Sequence, residues 1–344
     1  MRLAKPLSTL SGILFYLSIA LVSAHAQSGW HVERTLQIGG TGGMDYLKVD
    51  AGTHRLYVPR GTHTLVIDAV SGETVGDIPG QKVAHGVAIV PKLNRGFITD
   101  GGGNGSITIF DLKANAVLGV ITALPDADGI IYDEGTDRIL VSAGDSNSLI
   151  TFKPDIDPKS GKIEAPIALG GAPEFLAADD AGKVYVNLKD KDVVAVVDLK
   201  TRKVIARWPV SPGGSPVGMA INTKGHTLFI GCRKPQKMIV MSTENGRVLN
   251  DLSIGSGVDA TSVRGSEAFA SCGDGTLAVI SQSSDGKYEV AQSVQTARGA
   301  KTMGIDGTTG KIYLPTMDFE DAKPGASGRP KAKPGTFKIL VVSR

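Results

Sequence analysis

From Gly43 to the C-terminus, one sequence unit recurs seven times at spacings of 41 to 46 residues. Each copy reads as an apolar strand, a turn, a second strand, a polar loop and a third strand. Aligned on the residue that closes the first strand, the anchors are Asp50, Pro91, Asp133, Asp179, Asn222, Arg264 and Asp306. A unit of this length makes three or four short strands and cannot cover both faces of its own sheet, so the copies must pack on one another. The fold expected is all-β, a seven-bladed β-propeller of four-stranded blades. The last unit lacks an outer strand, while an extra strand-like segment, His31 to Ile38, precedes the first. That segment is expected to complete the last blade and close the ring, leaving only short peripheral edges.

The first unit shows the pattern most clearly, with strands expected at Asp45 to Val49, Arg55 to Pro59, Thr64 to Asp68 and Glu73 to Ile78, separated by Gly-containing turns. Counting back from each anchor, positions −3 and −1 hold pairs such as Leu47/Val49, Leu176/Ala178 and Met219/Ile221. With a period of two these share one face, expected to pack against the next blade. Positions −4 and −2 are smaller on average, including Gly129, Gly218, Gly304, Ala177, Ala220 and Ser262, as wedge-shaped blades around an axis require.

The N-terminus carries Arg2 and Lys5, an apolar run from Ile13 to Val22, and Ala24-His25-Ala26. This is the layout of a cleavable secretory signal over residues 1–26, too short in its apolar part for a comfortable membrane span. A periplasmic or secreted protein, residues 27–344 as one propeller domain, is therefore expected, with no transmembrane span in its mature form. Losing residues 1–26 removes two bases and no acid, so the formal charge falls from +3 to +1. Near-neutrality gives no electrostatic case for nucleic acid or an anionic membrane, and a monomer is expected. Cys232 and Cys272 stand at equivalent places in adjacent units. Equivalent Cα atoms of neighbouring blades are spaced wider than a disulfide allows, so both are expected to remain free thiols. Within the last unit, residues 318–336 insert a Pro-, Gly- and Lys-rich stretch, expected to be a flexible surface loop.

At these repeats the chain resembles the YVTN-type, YncE-like family of exported seven-bladed propellers. The resemblance is carried by Pro216-Val217-Gly218-Met219-Ala220-Ile221, by Tyr57-Val58, Tyr185-Val186-Asn187 and Phe97-Ile98-Thr99-Asp100, and by third strands ending Val66-Ile67-Asp68, Ile109-Phe110-Asp111 and Val196-Val197-Asp198. It extends over essentially all of residues 27–344, although no unit carries a full Tyr-Val-Thr-Asn. What it implies is a fold and an exported binding or scaffolding protein, not one activity; related propellers include lactonases and redox enzymes.

Several chemistries are excluded by the residues. C-x-x-C-H, G-x-S-x-G, H-E-x-x-H and the phosphate-binding P-loop are all missing, and Trp30 and Trp208 are the only tryptophans. Single-stranded nucleic-acid binding needs a basic groove interleaved with exposed aromatics; the contacts on offer are only Arg233-Lys234 and Lys189 to Lys191, so this partner is disfavoured. One constellation stands out at position −5, where each innermost strand begins. It reads Asp45, Gly86, Asp128, Glu174, Val217, Asp259 and Lys301, with His85 beside the glycine. Closure of the ring would gather Asp45, His85, Asp128, Glu174, Asp259 and Lys301 at one mouth of the central channel, the default place for a ligand.

The function expected is a non-catalytic propeller binding a ligand or protein partner on the channel-mouth face, with no cofactor required. A lactonase-type hydrolase is the alternative. There the carboxylates, with Asp128, Glu174 and Asp259 as metal candidates, would hold a divalent cation, calcium or magnesium, while His85 or Lys301 moved protons. A redox propeller is a distant third.

Overall fold

The computed structural model describes Met1, residues 29–320 and residues 331–344. The expected signal at residues 1–26 and the tip of the 318–336 insertion therefore lie outside the described residues. Within them the chain is a β-propeller built from four-stranded antiparallel units, and no helix is long and apolar enough to cross a membrane.

Hydrogen bonding divides the strands into six sheets, five of them four-stranded. The third to sixth units each form one sheet, for example Pro173–Ala178, Lys183–Leu188, Val193–Asp198 and Lys203–Pro209 in the fourth. The first two units share a seven-stranded sheet because the strand Thr74–Val90 runs from the outside of one unit to the inside of the next without a break. The sequence reading ended that strand at Ile78. What carries it onward is Asp100, whose carboxylate accepts hydrogen bonds from the backbone N–H groups of Lys82 and Val83, both at 2.8 Å. The third unit departs in the opposite sense: its outer strand shrinks to Ile167–Ala168, and residues 153–166 detour around the perimeter. Glu164 anchors that detour through Thr151 Oγ1 at 2.7 Å, Arg138 at 3.1 Å and Arg202 at 2.5 Å.

The strand His31–Gln37 pairs antiparallel with Lys338–Ser343, so the first and last described strands are neighbours in one sheet with Ile312–Thr316 and Gly304–Ile305. Just ahead of it, buried Trp30 meets Phe269 edge to face with ring centroids 5.0 Å apart. The apolar core separates into clusters between sequence-adjacent units, and one further cluster, containing Leu36, Leu47, Val49, Tyr313 and Ile339, joins the first unit to the last. Each fully buried Leu, Ile, Val or Phe contributes roughly 1.5–3 kcal/mol, so these interfaces carry much of the stability.

One packing expectation is corrected. The −3/−1 face meets the preceding unit, not the next: Leu176 clusters with Leu140 and Leu149, and Met219 with Tyr185 and Val194. Only in the second unit do Ala88 and Val90 turn toward the following one. The −4 and −2 positions meet the following unit, as Ala177 does with Met219 and Leu228 and Gly304 with Leu47, while the central channel, with a cavity of roughly 540 Å3, is lined by inner-strand residues of every unit. Cys232 and Cys272 are free, buried in the same cluster, and burial pushes each thiol up to about 12. The described ends of the 318–336 insertion are tied down: Phe319 bridges to Ala332, and Glu320 N–H donates to the Lys331 carbonyl at 2.8 Å.

Candidate functional site: the channel mouth

Where each innermost strand begins, the preceding unit holds it in place. Thr99 Oγ1 donates to the Asp128 carbonyl at 2.6 Å, Ser142 Oγ to the Glu174 carbonyl at 2.5 Å, and Ser271 Oγ to the Lys301 carbonyl at 2.5 Å. Asn187 Nδ2 donates to the Val217 carbonyl at 2.9 Å. All four donors occupy the same place in the second strand, after an aromatic-apolar pair in three units and after Leu140-Val141 in the third, and all four acceptors are −5 residues of the next unit. The polar third letter of the repeat is thus an inter-blade clamp that positions the mouth. Where Pro59, Gly231 and Pro315 replace it, other contacts appear: Asp45 takes a bond from Thr302 Oγ1 at 3.2 Å, and Asp259 one from the Tyr46 hydroxyl at 3.3 Å.

The clamped residues form a bowl. Its floor is Tyr46 and Phe175, large side chains in the otherwise small −4 column, whose rings meet with centroids 4.8 Å apart although they come from the first and fourth units. Burial, and then the charges of Asp259, Asp128, Asp45 and Glu174 around it, hold the Tyr46 phenol well above its ordinary range. Beneath the floor lies the channel cavity, and none of the six sequence-predicted residues lines it.

The wall has two chemically different sides. On one, His85 Nδ1 lies 2.7 Å from Asp45 Oδ2 and 3.7 Å from Asp128 Oδ1, with all three side chains mostly buried. Burial alone would lower the imidazole's pKa; the hydrogen bond to Asp45 and the charges of Asp128, Asp45 and Asp126 outweigh it and raise it to about 9. Burial and the Asp45 charge push the Asp128 carboxyl up to about 8, against the pull of His85. On the other side every carboxylate has a cation. Glu174 pairs with Lys189 at 2.5 Å, and Asp259, its side chain 5% exposed, is gripped by both Arg233 and Lys301.

The structure thus brings all six sequence-predicted residues to one mouth, but not as one ring of equivalent ligands. Asp128, Glu174 and Asp259 do not form a single metal set, because the latter two are neutralised by lysine and arginine. Among the described residues, the one group with three metal-competent atoms mutually within 4.8 Å is Asp45, His85 and Asp128. Lys189 and Arg233, which the sequence offered only as nucleic-acid contacts, are instead partners of Glu174 and Asp259. Sequence reasoning missed the Tyr46–Phe175 floor, although two bulky residues directly after acidic −5 positions were the available signal.

No family model matches the chain. It is similar to the protein YncE of Salmonella typhi and of Salmonella typhimurium, 23% identical over 198 residues, which are 55% of this chain and 54% of either relative. The chain therefore spans about half the length of the curated relatives it matches. Among solved structures it is similar to the RRP9 WD40 repeats (TM-score 0.74, 12% identity, 90% of this chain and 97% of that one). It is also similar to a chain of the mitotic checkpoint complex (TM-score 0.71, 13% identity, 95% and 99%) and to hydrazine synthase of Kuenenia stuttgartiensis (TM-score 0.68, 11% identity, 80% and 92%). At such identities these likenesses establish the fold alone.

Proposed function

Because this chain is a YncE-like β-propeller, we propose that it acts as a non-catalytic binding protein whose ligand or partner docks in the channel mouth. The ring in this reading is closed, with seven blades, the segment His31–Gln37 supplying the outer strand of the last. Its pairing with Lys338–Ser343 and the cluster joining first and last units support that count. The leader-like residues 1–26 support a site of action outside the cytoplasm.

The observation that carries the binding reading is the mouth itself: the Tyr46–Phe175 aromatic pair beneath two walls of different charge. The His85 side presents acid in excess, and the Lys189, Arg233 and Lys301 side presents cations already fixed by carboxylates. Convergent polar groups over an apolar floor suit a small polar ligand or a polar loop of a partner. A lactonase-type hydrolase has less support. Lys301 is held on Asp259, so it is not free to move protons for an attacking water, and both carboxylates beside His85 engage the same Nδ1.

The test is thermal-shift binding of a panel of amines, amino acids, carboxylates, sugars and lactones, in chelator, to wild type and to an Asp128→Asn/Glu174→Gln double variant. Stabilisation of wild type by a panel member, lost in the folded double variant, is expected. Binding fully retained in the variant overturns the reading, and turnover of the lactones by wild type would favour the hydrolase.

A further inference from the structure

The acid–histidine side of the bowl has more order than a solvated rim needs. Asp45 and Asp128 stand at the entry of two inner strands and His85 lies within the strand Thr74–Val90, and the backbones of Asp45 and Asp128 are pinned by Thr302 and Thr99. Their donor atoms are 2.7 and 3.7 Å from the central Nδ1, and all three fall within 4.8 Å of one another. A metal ion with bonds of about 2.0–2.2 Å to nitrogen and oxygen sets its neighbouring ligands about 3 Å apart. The side chains therefore need to move only by amounts that rotamer relaxation allows.

A second observation, independent of the clustering, concerns one atom. Asp128 Oδ1 is shut off from solvent, faces this cluster, and accepts no hydrogen bond. A buried acceptor with no partner costs free energy unless an ion or proton satisfies it. The other ring nitrogen of His85 lies over Gly101, where a methyl group would fall 2.8 Å from Nε2, so only glycine leaves the ring its position. On the far wall, Lys189, Arg233 and Lys301 would oppose a cation at Glu174 or Asp259.

We propose that Asp45, His85 and Asp128 form a binding site for a divalent first-row transition ion such as zinc or manganese. This rests on reading the mouth as a binding site and names one thing it binds. The imidazole decides the class of ion: calcium and magnesium prefer all-oxygen shells, so the calcium or magnesium expected from the carboxylates alone gives way to an ion that accepts nitrogen. Three protein ligands leave at least one coordination position open, toward which a ligand in the bowl could extend an oxygen or nitrogen.

The test is calorimetric titration of chelator-stripped, untagged protein with zinc, manganese, calcium and magnesium chlorides at one fixed pH near neutrality. It uses wild type, His85→Ala, Asp128→Asn and Glu174→Gln, each checked for a native melting curve. One equivalent of zinc or manganese is expected in wild type, weakened about tenfold or more by His85→Ala and Asp128→Asn and unchanged by Glu174→Gln. His85→Gln replaces His85→Ala if the latter fails to fold. Wild type that takes up neither transition ion, or that loses nothing on replacing His85 and Asp128, overturns the site. The titration uses ions alone, so its failure leaves the organic-ligand reading to the panel run in chelator.

Discussion

The side-chain oxygen of Thr99 donates to the carbonyl of Asp128 at 2.6 Å, while the same oxygen accepts from Gly86 N–H at 2.9 Å. One hydroxyl in the second unit thus ties the inner part of the strand Thr74–Val90 to the start of the next inner strand and positions a mouth carboxylate. Thr99→Val keeps the shape and removes both bonds, stranding a backbone donor and acceptor in a buried setting. A loss of about 1–3 kcal/mol is expected in urea unfolding; an unchanged midpoint would mean that the clamp does not hold the strands.

Closure makes a prediction at the other end of the chain. Removing residues 29–37 strips the partner of Lys338–Ser343 and the Trp30 contact on Phe269, and should lower the melting temperature strongly. The milder Trp30→Ala should cost about 3–5 kcal/mol as a large buried side chain is lost. Thermal unfolding that ignores the deletion would contradict a ring joined through its termini.

The thiols give a chemical readout. Cys232 and Cys272 are buried, and burial pushes both up to about 12, so thiolate is scarce at neutral pH. Native protein should resist alkylation, and denatured, unreduced protein should show two reactive thiols per chain. Zero thiols under those conditions would mean a disulfide.

How much of this was readable in advance varies with the kind of signal. The repeat exposed the strands because alternation and Gly-marked turns are local, and the segment His31–Gln37 could be placed because a strand was left over. The continuous strand Thr74–Val90 was hidden, since the Asp100 carboxylate that carries it past Ile78 lies on a different strand. The six mouth residues were found by counting back from anchors, a purely periodic argument. Their partners were not: Lys189 reaches the mouth from the turn after a second strand and Arg233 from the last residue of one, which no count along the first strand reaches. The division of the mouth into a paired half and an acid–histidine half is therefore tertiary information.

Glu164 makes the stability of the third unit pH-dependent. Burial alone would raise its pKa, but the Thr151 hydrogen bond and the Arg138 and Arg202 charges outweigh this and lower it. A carboxyl with a lowered folded-state pKa stabilises above its unfolded value of about 4.3, and that contribution is lost as pH falls through the folded value. Glu164→Gln should thus destabilise at neutral pH by about 1 kcal/mol, modest because the group is partly solvated, and the gap to wild type should close in acid. A gap that is constant with pH would show that the charge is not what anchors the detour.

The central claim is that the channel mouth is where this protein binds, and hydrogen–deuterium exchange tests it most directly. The protein would be labelled alone and with a ligand that shifts its melting curve. Protection is expected in peptides carrying Asp45–Tyr46, His85–Gly86, Asp126–Asp128, Glu174–Phe175, Lys189, Arg233, Asp259 and Lys301, with the outer strands unchanged. Protection confined to the outer strands or to the opposite mouth around Asp133, Asp179 and Asp306 would contradict the account.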